Sequence, residues 1–315
     1  MGSFCAWSLR NAGFTGPITV VEKDASYQFS STALSAASIR TQFGTATNIQ
    51  MSLFGAHMFR NIKAVFGDEA DIGYREKGYL ILGGHDQVAE RIEAVRMQRS
   101  HGADIRVLDP DELGARFPGI NFDDVGIGTL GVQHEGWFDA WSLLSEVRRS
   151  ARRLGVNYVE AAANAFKTHG ASVVGVELSN GDSLACDFCV LAAGALAGRL
   201  AASLGIELPV VPKKRTVFSF KTPFRSKDFP MLFDTSGIWV RPEGEGYIGG
   251  IQPPAEIDVD ADGDFEPHHA LMDELFWPLL AERIPAMEEL RLNRAWAGHY
   301  EVNTLDHNGV VGAHR

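Results

Sequence analysis

A run of β-branched residues that ends in an acid, PITVVEKD at residues 17–24, limits the folds open to this chain more than any other feature. Such a strand commonly closes the first strand–helix–strand unit of a dinucleotide-binding domain, where Glu22 would accept hydrogen bonds from a ribose. That unit also needs a glycine-rich turn, G-x-G-x-x-G, about 20 residues earlier. Counting back from Glu22 leads to Met1 and Gly2. Either this interpretation fails, or the sequence begins inside the motif.

The segment between Gly2 and the strand favours the second option. Residues 3–12 place Cys5, Leu9 and Ala12 on one face at helical spacing, and Gly13 provides a stop. Gly2 would then be the third glycine of the motif, which allows a helix and a strand to pack closely. A strand that ends in Glu also occurs in many other α/β proteins, so this half-motif alone leaves the function open.

Composition excludes several classes of protein. A chain of 315 residues is long enough for two lobes with sizeable cores. Its net charge of −11 argues against nucleic acid as a partner, and no apolar run approaches the roughly 18–20 residues that span a bilayer. Three cysteines argue against a disulfide framework and fit a reducing compartment. We therefore predict a cytoplasmic protein without a metal site; a mitochondrial location is the alternative if a targeting segment lies upstream.

The order of segments predicts two interleaved units. One parallel sheet is expected to contain the strands at 17–24 and 189–194, and a separate, mainly antiparallel sheet is expected to contain 78–84 and 216–251. The remaining predicted elements are helices at 47–66, 86–101, 140–154 and around 268–289, a short capped helix in DPDELGARFPGI, and a hairpin at Asn180-Gly181. Cys186 and Cys189 form a C-x-x-C inside LACDFCVLAAG, residues 184–194, where we predict a buried strand and core packing, with redox or metal use as the alternative.

Two stretches have the composition of a ligand site. FSSTALSAASIRTQF at residues 29–43 is rich in small residues, which let the backbone approach a flat ligand and offer hydroxyl and N–H groups to phosphate. A plain loop that runs into a helix is the alternative. Ala192, Ala193 and Gly194 are expected between a strand and a helix, where open α/β sheets bind ligands.

The order of the blocks VVEKD, SSTALSAASIRTQF, EGWFDAW, CVLAAGALA and WAGHYEVNTLDHNGVVG resembles the FAD-dependent oxidoreductases of the D-amino-acid oxidase, glycine oxidase and sarcosine oxidase superfamily. Within it, the sequence is most similar to the FAD-dependent oxidoreductase domain-containing protein 1 group, which carries DEGWFD and WAGYYDYNTFDQNGVVG. The resemblance implies an α/β fold: a Rossmann-like FAD-binding domain with an interleaved, mainly antiparallel β-sheet substrate domain. The implied FAD-binding domain consists of residues 1–73, 136–212 and 301–315, and the substrate domain of 74–135 and 213–300. It also implies that the sequence starts at the last glycine of the motif and stops before a Gly-rich segment over the flavin. The chain as written is therefore expected to bind FAD poorly, and the full-length protein to bind it well.

The resemblance also assigns cofactor-binding residues. Glu22, beside Lys23, would hold the adenosine ribose, and the backbone of Ala163 would contact adenine. The remaining positions would contact the pyrophosphate, ribityl chain and ring: Gly2, Ser31, Thr32, Ser35, Ala36, Ala37, Ala192, Ala193 and Gly194. Glu22 as a solvated strand end and residues 192–194 as a simple tight turn are the alternatives.

Three residues are implied on the substrate side. Arg40 would pair with a substrate carboxylate, since a planar guanidinium suits bidentate binding; a salt bridge at a helix start is the alternative. Tyr300 and His299 would line the flavin face, with core packing as the alternative. Some relatives attach the flavin through a Cys or a His, but His299 stands at the position that matches the Cys. We therefore predict noncovalent FAD.

The resulting hypothesis is an FAD-dependent oxidoreductase that oxidises the C–N bond of a small amine or amino acid, with O₂ or a carrier protein as electron acceptor. The alternative from another class is a flavoprotein that acts mainly as an assembly factor for respiratory complex I. A closed pocket containing Arg40 would favour the enzyme, whereas an exposed apolar patch would favour the interaction partner. An NAD dehydrogenase that uses Glu22 is a third and weaker hypothesis.

Overall fold

The structure, a computed structural model, describes residues 1–261 and 263–314. Residue 262 of the predicted 213–300 segment and residue 315 of the predicted 301–315 segment lie outside the described residues. The α-helices are α1 (Gly2–Asn11), α2 (Ser31–Leu34), α3 (Ala46–Arg60), α4 (Ile62–Phe66), α5 (Val88–Ser100), α6 (Pro110–Arg116), α7 (Ala140–Arg153), α8 (Ala197–Ala202) and α9 (Trp277–Arg283). A π-helical turn, Met272–Phe276, precedes α9. In the part of the chain that the structure describes, every helix is too short or too polar to cross a bilayer.

The strands of the described residues form four sheets of very different size. They are β1 (Thr19–Glu22), β2 (Ser38–Ile39), β3 (Tyr79–Gly84), β4 (Ile105–Leu108), β5 (Val125–Gly131), β6 (Gly136–Trp137), β7 (Asn157–Glu160), β8 (Ala163–His169), β9 (Ser172–Leu178), β10 (Ser183–Ala185), β11 (Val210–Lys221), β12 (Met231–Phe233), β13 (Ile238–Glu243), β14 (Gly246–Ile251) and β15 (Arg291–Asn303). β1 pairs with β7, β2 pairs with β6, and β8, β9 and β10 form a three-stranded sheet. The other eight strands belong to one large sheet.

Several predicted elements follow directly from local chemistry. Asp109 and Glu112 each accept a hydrogen bond from the other's backbone N–H, at 2.8 and 2.9 Å, and so form a capping box that starts α6. Asp139 caps α7 by accepting from the N–H of Ser142 at 2.7 Å. Gly181, at a φ of +89°, makes the turn between β9 and β10. These elements confirm the predicted short helix, the helix at 140–154 and the hairpin.

The N-terminal unit is a helix packed on a parallel strand pair. β1 and β7 run parallel, with Glu22 opposite Glu160 at their ends. α1 packs on α7, where the indole N–H of Trp7 donates to the hydroxyl of Ser150 at 3.1 Å. The Trp7 ring lies 5.2 Å from the ring of Phe66, which is buried. The predicted helix, turn and strand ending in Glu22 are therefore confirmed.

The predicted strand at 189–194 is wrong, because this segment has no strand structure. A strand needs a backbone partner, and no described strand pairs with residues 186–193. Phe188 and Val190 are exposed, as is Cys189, so the prediction of a buried strand around the C-x-x-C is wrong as well. Ala192 instead lies beside the first turn of α1: a Cβ placed on Gly2 would be 3.7 Å from the Cβ of Ala192.

The large sheet has the strand order β15-β11-β14-β13-β12-β3-β5-β4. Only β12 and β3 run parallel; the other neighbours in it are antiparallel. The predicted mainly antiparallel sheet, with 78–84 and 216–251 in it, is confirmed. β11 and β15 pair along their whole lengths, from Val210 opposite Asn303 to Lys221 opposite Arg291. The predicted domain limits at 212/213 and 300/301 fall inside these two strands, and the division into domains stays a prediction.

The two faces of the large sheet have different roles. One face carries fully buried side chains such as Phe218, Leu232 and Val240, and the helical segment 272–287 covers it with Phe276 and Leu280. Burial of each such side chain contributes about 1.5–3 kcal/mol. Side chains alternate along a strand, so the residues between these point to the opposite face. That face meets the segment that contains β2 and β6.

Arg283 provides a test of what stabilises the large sheet. Its guanidinium is buried and bonds to Asp234, to the carbonyl oxygen of Asn121 at 2.5 Å and to Asp124 at 2.9 Å. We expect Arg283→Met to lower the free energy of unfolding by about 3–5 kcal/mol, because it leaves the Asp234 carboxylate buried without its cation. Arg96→Met, which removes an exposed pair with Glu93, should cost less than about 1 kcal/mol. Equal losses in urea unfolding would contradict this account.

Candidate functional site

The predicted adenosine end of the cofactor site lies at the ends of α1 and β1. α1 begins at Gly2, and the start of a helix presents backbone N–H groups that favour an anion. Glu22 is half-buried at the end of β1 and accepts a hydrogen bond from the N–H of Asp24 at 3.2 Å. Burial raises the pKa of Glu22, while that hydrogen bond acts in the opposite direction. Lys23 is exposed, and Ala163 is half-buried at the start of β8.

The small-residue segment forms a tight turn that leads into β2. Ser30 caps α2 by accepting from the N–H of Ala33 at 3.1 Å. The Ser35 hydroxyl donates to the carbonyl oxygen of Thr32 at 3.0 Å and accepts from the N–H of Ala37 at 3.2 Å. Ala37 has a φ of +47°, which is unfavourable for a residue with a Cβ. The Ser35 hydroxyl is therefore used within the turn, whereas Thr32 is exposed.

β15 holds the start of this segment in place. The indole N–H of Trp296 donates to the carbonyl oxygen of Leu34 at 2.9 Å, and a Cβ on Gly298 would lie 2.9 Å from the Cβ of Leu34. Ser31 donates from its hydroxyl to Glu301 at 2.5 Å. The same Glu301 oxygen is 2.7 Å from the position of a Cβ on Gly194. Predicted residues 31 and 194 are thus brought together through Glu301, which the sequence did not single out.

Arg241 on β13 holds the end of the segment. It is buried, and its guanidinium donates to the carbonyl oxygen of Ala36 from Nε at 3.2 Å and from Nη2 at 2.9 Å. The guanidinium also bonds to Glu243 and lies 5.4 Å from the centre of the Trp137 ring. Burial lowers the pKa of Arg241, and the charge of Glu243 opposes that effect. This second arginine near the turn belongs to none of the motifs recognised in the sequence.

Arg40 follows β2 directly and lies between aromatic rings. The guanidinium carbon is 4.7 Å from the centre of the Phe43 ring and 6.0 Å from that of Phe233. Its Nε is buried and has no hydrogen-bond partner, and Arg40 forms no ion pair with a carboxylate of residues 1–261 or 263–314. The salt bridge that was the alternative role for Arg40 is therefore not formed among the described residues. A cation placed in this way is available for an anionic ligand.

The ring of Phe233 belongs to an aromatic cluster on the face of the large sheet opposite its core. This aromatic cluster consists of Tyr79, Trp137, Phe233 and Trp239, together with Met231. Tyr79 stacks on Phe233 with ring centres 5.5 Å apart. Burial raises the pKa of Tyr79 to about 12, so its hydroxyl stays protonated at neutral pH. Phe233 and Trp239 are half-buried neighbours on paired strands, and they offer an apolar surface close to Arg40.

Behind Arg40 lies a buried carboxylate, Glu135, from the EGWFDAW block. One carboxylate oxygen accepts from the N–H and the hydroxyl of Thr41 at 2.7 and 2.6 Å, and the other accepts from the amide of Gln42 at 3.0 Å. The Gln42 side chain also donates to the carbonyl oxygen of Tyr79 at 3.1 Å and accepts from Thr129 at 2.7 Å. Burial raises the pKa of Glu135, and the bonds from Thr41 and Gln42 and the charge of Arg40 oppose that shift.

The other two predicted substrate-side residues lie farther along β15. The ring of His299 stacks on Phe265 with centres 4.1 Å apart, and its Nε2 is 3.0 Å from the carbonyl oxygen of Asp264. Tyr300 is 59% exposed and lies near Arg215, whose guanidinium carbon is 5.8 Å from the ring centre. No hydrogen bond or ring contact of the described residues joins either of them to Arg40. The structure therefore does not assemble the three predicted catalytic residues into one cluster.

Two cavities lie away from Arg40. One, of about 440 Å³, is lined by residues that include Lys214, Asp264 and His268. The other, of about 310 Å³, lies beside Arg283. Neither includes Arg40, so neither is the closed pocket around this residue that would favour an enzyme.

The fold and this geometry define a mixed α/β protein in which a helix that starts at Gly2 and a small-residue turn accompany a large, mainly antiparallel sheet. The family model for FAD dependent oxidoreductases, DAO, matches residues 1–315, and the chain belongs to this family. The chain is 38% identical to FAD-dependent oxidoreductase domain-containing protein 1 of Xenopus laevis, over 94% of this chain and 66% of that protein, which is just under two thirds of its length. The resemblance recognised in the sequence is confirmed.

Solved structures share the fold. L-proline dehydrogenase from P. horikoshii superposes with a TM-score of 0.86 at 22% identity, covering 99% of this chain and 82% of that one. Glycine oxidase from Geobacillus kaustophilus superposes with a TM-score of 0.81 at 18% identity, covering 99% and 82%. These likenesses confirm the predicted fold class.

The described residues fit the FAD that defines this family. The N-terminal end of α1 suits a pyrophosphate, Glu22 suits a ribose, and the turn at 35–37 presents small side chains. The residues that would hold the cofactor are those of α1 and β1 and the segment 31–37, as the sequence predicts. These individual contacts stay predictions.

The sequence contained a signal for some of the residues that it did not assign. Glu135 and Trp296 lie inside blocks that carry the family resemblance, so their importance could have been inferred. Arg241 lies in an ordinary strand, and its role depends on a contact across 205 residues of sequence. No local pattern reports such a contact.

The pKa of Glu135 leads to a stability prediction. The pKa of this carboxyl is higher in the folded protein than in the unfolded chain, where it is about 4.5. Its protonated form therefore stabilises the fold below about pH 4.5, and this contribution is lost as the pH rises through the folded pKa. The native protein loses this contribution as the pH is raised from 4.5 to 8, whereas Glu135→Gln, which cannot titrate, does not. We therefore expect the melting temperature of Glu135→Gln, relative to that of the native protein, to rise with pH. Glu245→Gln, at a side chain that is 92% exposed, sets the baseline for losing one charge. Parallel pH profiles for the two variants in differential scanning calorimetry would contradict this.

Proposed function

We propose that this protein oxidises the C–N bond of a small amine or amino acid, with noncovalent FAD as cofactor. The observation that carries the proposal is the guanidinium of Arg40, which is half-buried between two aromatic rings and forms no ion pair with a carboxylate of the described residues. Two proteins of the same fold are named for amino acids, L-proline dehydrogenase and glycine oxidase. An amino acid supplies the carboxylate that such an arginine would bind.

The chain's own residues would bind and orient the substrate. Arg40 would hold the carboxylate with two parallel hydrogen bonds, and this fixes the direction in which the amine-bearing carbon points. Phe233 and Trp239 would exclude water from one side, which strengthens the charge interaction. Bound FAD would supply the chemistry, by accepting a hydride from the carbon next to nitrogen.

His299 is a poor candidate for attachment of a flavin. Its ring is stacked on Phe265, and its Nε2 lies within hydrogen-bond distance of the carbonyl oxygen of Asp264. This arrangement supports noncovalent binding. Tyr300 keeps a proposed role in orienting the substrate.

A role as an interaction partner, for example in respiratory-chain assembly, is the second candidate. Phe188 and Val190 support it, because they are apolar, 89% and 62% exposed, and lie in a segment without strand structure. Anaerobic mixing of the FAD-loaded protein with N-methyl and D-amino acids separates the two functions. Reduction of the flavin by a member of this panel supports the oxidoreductase, and no reduction by any member favours the second candidate.

Arg40→Met tests substrate binding directly. We expect FAD to stay bound, while kcat/KM for a carboxylate substrate falls roughly 30-fold to several thousand-fold, since a lost charged pair in a desolvated site costs about 2–5 kcal/mol. A neutral amine analogue should be affected far less. Arg40→Lys should recover only part of the activity, because an ammonium group cannot make two parallel hydrogen bonds.

Arg116→Met serves as the matched control, since Arg116 also lies against a ring, that of Phe117, but is exposed at the end of α6, a helix that carries none of the predicted site residues. It should leave the kinetics unchanged. Unaltered kcat and KM for the carboxylate substrate in Arg40→Met would refute the proposed role of Arg40. Equal losses for the carboxylate and the neutral analogue would refute it as well.

A further inference from the structure

The loop between β5 and β6 is built to place one carboxylate, that of Glu135, inside the protein. His134 has a φ of +66°, which is uncommon for a residue with a Cβ. Gly136 has a φ of +156°, and a Cβ there would be 1.9 Å from the carbonyl oxygen of Arg75. A Cβ on Gly131 would likewise be 1.9 Å from the Glu135 carboxylate. Strain at His134 and two forced glycines are the cost of this placement.

The placement is not explained by stability alone. Glu135 is fully buried, and no cation of the described residues forms an ion pair with it. A buried carboxylate without an ion-pair partner is costly, even when it is hydrogen-bonded. An apolar side chain over Gly131 would avoid that cost. The buried carboxyl group therefore calls for a role that an apolar residue cannot fill.

The hydrogen bonds of Glu135 point to that role. All three known donors belong to the two residues that follow Arg40, with both bonds of Thr41 on one oxygen and the Gln42 amide on the other. The carboxylate thus fixes the backbone next to Arg40 without using the guanidinium itself. Gln42 extends the connection to the carbonyl oxygen of Tyr79 in the aromatic cluster and to Thr129 on β5.

We propose that Glu135 is a positioning residue for the substrate carboxylate: it anchors Thr41 and Gln42, and so holds the guanidinium of Arg40 beside the aromatic cluster and free to bind. The inference rests on the proposed function, since it assumes that Arg40 binds the carboxylate. It adds that the first residue of the EGWFDAW block sets the affinity for carboxylates without touching them. Substrates with an acid group next to an apolar or aromatic body fit this arrangement best.

Benzoate and its neutral isostere benzamide test the proposal in the FAD-loaded protein. Binding is measured from the change in the flavin absorbance spectrum on titration. We expect Glu135→Gln to weaken benzoate by about 10- to 100-fold, by analogy with the loss caused by removing a group that orients a metal ligand. Benzamide affinity should change less than about threefold. Arg40→Met should weaken benzoate at least as much, again sparing benzamide.

The double variant gives the decisive comparison. If Glu135 acts through Arg40, then adding Glu135→Gln to Arg40→Met causes no further loss of benzoate affinity. Thr41→Val removes one of the three bonds to Glu135 and should weaken benzoate binding by a smaller factor than Glu135→Gln does. Thr41→Ser keeps the hydroxyl and should bind benzoate as tightly as the native protein.

The outcomes separate the two levels of the argument. If Arg40→Met leaves benzoate binding unchanged, the proposed function fails, and this inference fails with it. If Arg40→Met weakens benzoate but Glu135→Gln does not, only the inference is overturned. A purely structural role for Glu135 would weaken benzoate and benzamide alike, or give additive losses in the double variant, and either result also overturns the inference.

Discussion

The arrangement of the site depends on the hydrogen bonds that Thr41 and Gln42 donate to the buried carboxylate of Glu135. Three hydrogen bonds from Thr41 and Gln42 satisfy it, so it fixes the strand end next to Arg40 instead of neutralising that arginine. A short guanidinium–carboxylate pair inside the protein would have been easier to stabilise electrostatically, but it would have left no free cation. The loop needs two unusual backbone conformations for this arrangement. His134 lies in the left-handed region, and position 136 has room only for glycine.

Around this point, the large sheet is joined to the small-residue segment by bonds from side chains to backbone. Arg241 reaches from the large sheet to the carbonyl oxygen of Ala36, and Trp296 reaches from β15 to that of Leu34. Both bonds hold the segment that is predicted to face the flavin, and neither depends on a side chain of that segment. Residues 31–37 can therefore have mostly small side chains, because the bonds from Arg241 and Trp296 fix their backbone and it does not depend on packing of their own side chains. A flat cofactor can then approach the backbone closely.

The sequence predicted the parts of the fold that are encoded locally. The acid at the end of the first strand, the capping box at Asp109 and the turn at Gly181 each act within a few residues, and each prediction was confirmed. The strand at 189–194 failed, because a hydrophobic run becomes a strand only when another backbone pairs with it, and no described strand does so. In the site, Arg40 could be singled out from its family block. Glu135 also lies in a family block, but its bonding partners could not be predicted, and Arg241 had no signal at all, since these contacts span 94 and 205 residues.

The account can be tested most directly by a crystal structure of the FAD-loaded protein with bound benzoate. It predicts that the benzoate carboxylate lies within hydrogen-bond distance of the Arg40 guanidinium and that the ring contacts Phe233 or Trp239. Glu135 should still accept its bonds from Thr41 and Gln42 in that complex. A structure in which Arg40 forms an ion pair with Glu135, or in which benzoate binds away from Arg40, would contradict the central claim.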